Sequence, residues 1–174
     1  MALDLKDLDG GMPGITASRA KTMHEAAAVC LNHNSHTPGT EISIKGDISV
    51  KDSLSWIPPT TQTLKSWADL QEATEHGAYG VAALLVKELT PLTVIERARK
   101  GTGFDYWLGP KENSTPMFQE KSRLEVSGIL VAEGNSVNQR VSTKISQVNS
   151  VPSSIKALVV VVDFGLPLSH VKYV

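Results

Sequence analysis

The sequence predicts a single α/β domain built on a mixed β-sheet flanked by helices. Three observations lead there. The chain has 174 residues, within the roughly 100–200 usual for one domain and long enough to bury a core without metal or disulfide staples. Segments with apolar residues at helical spacing alternate with short alternating or continuous apolar runs, as expected when helices lie on a sheet. Ala157-Leu-Val-Val-Val-Val162, extended to Phe164, is too apolar for an edge and reads as a buried central strand.

In chain order, residues 1–14 contain Gly10, Gly11, Pro13 and Gly14 and are expected to form a flexible arm, leaving 15–174 as the domain. Ile15 to about Asn32 reads as a helix, with Met23, Ala27, Cys30 and Leu31 on one stripe. Thr40 to Lys45 alternates with period two, Gly46-Asp47 signals a turn, and Ile48 to Ile57 returns as a strand. After Pro58-Pro59, Thr61 to Leu89 reads as the longest helical segment. Gly77 and Gly80 weaken it by ~1 kcal/mol each relative to alanine, a cost that close packing on a sheet would offset. Thr93 to Lys100 and Phe104 to Leu108 are strands about the turn Gly101-Thr-Gly103, and 109–120 is a polar loop with two prolines. Arg123 to Val131 is a strand, Ser136 to about Val148 a helix, and Leu168 to Val174 a last short strand.

Composition limits function. With 41% apolar and 20% charged residues, the chain is neither disordered nor collagen-like. Phe, Tyr and Trp number three each, too few for stacking to be the main binding device. The net charge of -1 excludes a uniformly basic DNA binder, yet residues 96–174 carry ten basic and seven acidic side chains. Arg97, Arg99 and Lys100 cluster there, a footprint for phosphates or a solvated strand face. The lone Cys30 excludes a disulfide framework. The acidic N-terminus lacks an apolar run, and no stretch approaches the ~20 apolar residues of a membrane helix, so a cytoplasmic protein with no membrane partner is expected.

Chemistry concentrates between Glu72 and Val162. Asp105 lies in Phe104-Asp-Tyr-Trp107 and Glu125 in Leu124-Glu-Val126. A carboxylate inside an apolar strand is costly unless paired, hydrogen-bonded or metal-bound. Strand alternation lets Asp105 and Glu125 share a face if their strands pair, and a divalent cation between them would relieve their repulsion. Oxygen ligands suit Mg²⁺ or Mn²⁺. The competing reading is ion pairing, of Asp105 with Arg97 or Arg99 and of Glu125 with Arg123 or another cation. Cys30, His33 and His36 have spacing that zinc can use, or are a buried thiol and two loop histidines.

The order helix, three strands, helix, strand over about 69–164, with acids on the second and third strands, resembles the restriction-endonuclease-like (PD-(D/E)xK) superfamily. The resemblance implies that Asp105 and Glu125 hold Mg²⁺ or Mn²⁺, that Glu75 or Glu72 supplies a helical acid, and that the metal activates water against a DNA phosphodiester. It implies roles in restriction, repair or defence against foreign DNA. The family pattern has Glu-x-Lys where this chain has Glu125-Val126-Ser127. Lys144, Gln139, Arg140 and Lys100 are candidates for the missing group, although neither Gln nor Arg is a general base at pH 7. Without a competent substitute the domain would serve as a noncatalytic scaffold or nucleic-acid-binding subunit beside a protein partner.

Overall fold

The computed structural model describes residues 2–111 and 121–174. Its strands are β1 (Ala2–Asp4), β2 (Thr40–Gly46), β3 (Val50–Ser55), β4 (Leu92–Arg97), β5 (Tyr106–Pro110), β6 (Ser122–Ile129), β7 (Ala157–Asp163) and β8 (Leu168–Tyr173), and its α-helices are α1 (Ala17–His33), α2 (Thr61–Ser66), α3 (Leu70–Leu89) and α4 (Ser136–Asn149). The strands form one mixed sheet in the order β1-β3-β2-β8-β7-β6-β5-β4. The expected single α/β domain with a helix-flanked mixed sheet is thus observed. Most of the 109–120 loop lies outside the described residues.

Every residue of β7 is buried, as its unbroken apolar run requires. Alternation sends Leu158, Val160 and Val162 into the large core beneath α1 and α3. It sends Ala157, Val159 and Val161 into a smaller core with Val141 and Val148 of α4. The result is three layers, with α1 and α3 on one face and α4 on the other. The segment α3-β4-β5-β6-α4-β7 follows the expected helix, three strands, helix, strand order, and its four strands are consecutive neighbours in the sheet. β5 runs antiparallel to β4 and β6, while β6 and β7 are parallel.

Three expectations need correction. Residues 2–14 are not a loose arm. β1 pairs in parallel with β3, and a 3-10 turn follows at Leu5–Leu8. Gly14 N donates to Val94 O of β4 at 2.9 Å, so the segment reaches both ends of the sheet. Leu3, Leu5 and Leu8 enter the main core, and their burial outweighs the local glycines. Leu5→Ala should cost about 2–4 kcal/mol in urea unfolding. A loss below about 0.5 kcal/mol, typical of an exposed site, would restore the arm.

The stretch from Thr61 to Leu89 is two helices. Trp67 ends α2, and the Asp69 carboxylate caps α3 by accepting from Gln71 N and Glu72 N. Gly77 and Gly80 do pack closely, but on α1 rather than on the sheet. A Cβ on Gly77 would meet the Ala27 backbone at 2.9 Å, and one on Gly80 would meet Met23 O at 3.0 Å.

Candidate active site

The site forms where two strands separate. The β5–β6 ladder runs from Leu108↔Ser122 to Tyr106↔Leu124, whereas β6 continues to Ile129. One step beyond the ladder, this register sets Asp105 opposite Glu125. There the Asp105 carboxylate replaces the missing strand, its Oδ2 accepting from Val126 N at 2.9 Å. The opening is a cleft of about 1170 Å³ with α3 on one wall and α4 on the other. Asp105, Glu125 and Glu75 line it with Arg97, Arg99, Lys100, Arg140 and Lys144. Five cations thus surround three carboxylates.

Glu125 occupies the floor, with only 3% of its side chain exposed. Its Oε1 accepts from Lys144 Nζ at 2.6 Å and from Gln147 Nε2 at 3.1 Å. Burial, and then the Asp105 charge, push its carboxyl above the usual range, against the pull of Lys144 and Gln147. Ser127, where the resemblance leads us to expect a lysine, accepts from Arg140 Nη1 at 3.0 Å. Arg140, Lys144 and Gln147 lie four and then three residues apart on α4, so one helix face delivers all three.

Asp105 Oδ1 accepts from Arg97 Nη1 at 3.2 Å and from the Tyr79 hydroxyl at 3.1 Å. The same hydroxyl reaches Glu75 Oε1 at 3.2 Å, so one proton serves two carboxylates. Burial, and then the Asp105 charge, push the Tyr79 hydroxyl far above its ordinary value, which keeps it a donor. Arg97 is fixed by the faces of Tyr79 and Tyr106, at 4.9 and 4.6 Å from the ring centres.

Of the expected site residues, Asp105, Glu125 and Lys144 come together. Glu75 joins them only through Tyr79. Among the described residues no three His, Cys, Asp or Glu side chains form a group that could hold a metal. Gln139 and Glu72 are exposed and do not line the cleft. Gln139 falls off the Arg140–Lys144 face of α4, and Gln147 takes the place expected of it. Both expected ion pairs form, Asp105 with Arg97 and Glu125 with Lys144. Arg123 turns instead to the carbonyls of Val148 and Ile155, pinning the end of α4.

Gln147 was legible as a residue one helical turn beyond Lys144. Tyr79 was legible only as one turn beyond Glu75, because its link to Asp105 is a tertiary contact. The Cys30-His33-His36 spacing assembles no site. Cys30 is fully buried, and burial pushes its thiol up to about 11. His36 Nε2 lies 3.1 Å from the carbonyls of Phe164 and Gly165.

Fold and site together define an α/β protein with paired carboxylates at the floor of a cationic cleft. No family model, curated protein or solved structure matches the chain. Among the described residues no helix is long and apolar enough to cross a membrane.

Proposed function

We propose that the cleft is a nuclease-type site for metal-dependent hydrolysis of DNA phosphodiesters. One observation carries the reading: Asp105 and Glu125 meet at a break in the sheet, inside a cationic cleft, with Lys144 bonded to Glu125. The helix, three strands, helix, strand segment adds support for a restriction-endonuclease-like core.

The donor set fits Mg²⁺ or Mn²⁺. Mg²⁺ is commonly held by one or two carboxylates together with water and substrate phosphate, and Glu125 Oε2 receives no donor among the described residues. Asp105 and Glu125 would hold the ion, which when bound supplies a polarised phosphoryl group and an activated water. The chain does the rest. Arg97 and Tyr79 hold the Asp105 carboxylate in place. Lys144 replaces the Glu-x-Lys lysine from a helix and keeps a positive charge beside the reacting phosphate. Arg99, Lys100 and Arg140 bind flanking phosphates.

A second reading is a noncatalytic nucleic-acid-binding subunit of a larger assembly. It is favoured by the pairing of each strand acid with a cation, which balances both charges without a metal. Plasmid, linear and single-stranded DNA incubated with Mg²⁺ or Mn²⁺ separate the two. Cleavage by the parent protein should fall at least about 10³-fold in Asp105→Ala and Glu125→Ala. Cleavage that survives in both variants removes this site. A folded parent that neither cuts nor gains thermal stability with metal supports the subunit.

A further inference from the structure

The turn between β4 and β5 forms one rim of the cleft, bringing Arg99, Lys100 and Phe104 to it. Arg99 and Lys100 are exposed, as is Arg97, which is committed to Asp105 and two tyrosine rings. The turn is held rigidly. Thr102 Oγ1 donates to Arg99 O at 2.8 Å and lies 3.3 Å from Phe104 O. Ala98 N donates to Asp105 O at 2.9 Å, and Gln147 Nε2 reaches Gly103 O from α4 at 3.3 Å. The Phe104 ring packs edge-on against Trp107, with centres 4.6 Å apart at 77°. Lys121 Nζ lies 4.2 Å from the Trp107 ring centre. Phe104 thus brings a half-buried aromatic residue to the cleft that Arg99, Lys100, Asp105 and Glu125 also line.

We infer that the ligand of this cleft is a single-stranded nucleic acid, with Phe104 stacking on an unpaired base and Arg99 and Lys100 holding the adjoining phosphates. The inference rests on the nuclease-type reading of the cleft and adds the strand form. The side chains of Asp105 and Glu125 are only 16% and 3% exposed, so a phosphate must descend to the floor to reach them. A single strand can bend into such a cleft. A duplex is far stiffer, and its paired bases present no free face to Phe104. Stacking selects the strand form here, while cations supply the general attraction.

The test is fluorescence anisotropy in EDTA, which separates binding from cleavage. Probes are a labelled thymidine oligonucleotide, a duplex of equal length and an abasic strand with the same phosphates. The single strand should bind at least about tenfold tighter than the duplex. Phe104→Ala should weaken single-strand binding about tenfold, leave the abasic strand and the duplex unchanged, and be rescued by Phe104→Trp. Unchanged melting temperatures exclude a folding defect. Equal single-strand and duplex affinity, or equal loss on all three probes, overturns the inference while leaving a nucleic-acid cleft. Failure of the parent to bind any probe overturns the nucleic-acid reading and this inference with it.

Discussion

Lys144→Met should destabilise the protein by about 3 kcal/mol at pH 8, the usual cost of stranding one partner of a buried ion pair. Glu125 is almost wholly buried, and Lys144 is its only ion-pair partner among the described residues. The loss should shrink toward pH 5, because Glu125 can then take up a proton and become neutral. The sign follows from linkage. The folded state already raises the Glu125 carboxyl, so it holds that proton more tightly than the unfolded chain does. This favours folding at low pH, and the advantage disappears as pH rises through the raised value. Removing the Lys144 charge lifts that value further and steepens the loss. In the Lys144→Met background, Glu125→Gln should flatten this part of the pH–stability profile and raise stability at pH 8. The double variant should return to within about 1 kcal/mol of the parent. Urea unfolding at both pH values checks this. A pH-independent loss in Lys144→Met would mean that packing, not charge, couples the two residues.

The second large effect is expected at Gly128, where α3 crosses β6. A Cβ there would meet Thr74 O at 2.5 Å and Ala78 Cβ at 3.0 Å. The nearest atom is helix backbone, so the whole of α3 must move. Gly128→Val should cost about 3 kcal/mol, and Gly128→Ala somewhat less. Because Thr74, Glu75, Ala78 and Tyr79 also line the cleft, the shift should loosen the Tyr79–Asp105 hydrogen bond and lower whatever activity Asp105 supports. Wild-type stability in Gly128→Val would show that α3 does not bear on β6 at this point. The two predictions probe opposite walls, Lys144 on α4 and Gly128 beneath α3.

Period and composition made most of the architecture legible. The alternation of Thr40 to Lys45, the unbroken run from Ala157 and the helix beginning at Ser136 all stand in the structure near their expected bounds. The misjudged places are those where a distant partner overrode a local signal. Glycines near the N-terminus suggested a loose arm, but Leu3, Leu5 and Leu8 had a core to enter. Asp69 split one long helical stretch into two because its side chain caps the second helix.

The sequence by itself determined the α/β layering, the central position of β7 and the presence of one acid, Glu125, in an apolar strand; the other, Asp105, expected inside a strand, stands one residue before β5. Apolar periodicity and the cost of burying a carboxylate are local properties that residue order carries directly. It also offered Lys144, Gln139, Arg140 and Lys100 as groups that could stand near the acids. Only the tertiary structure showed that Lys144 is the one bonded to Glu125. Which face of α4 looks down on β6 depends on how the helix is rotated over Val159 and Val161, and that rotation favours Arg140, Lys144 and Gln147 over Gln139. Only the tertiary structure showed that the β5–β6 ladder ends one step before Asp105 and Glu125, opening a cleft that brings Tyr79 to Asp105. Strand register and helix rotation are set by packing between residues far apart in sequence.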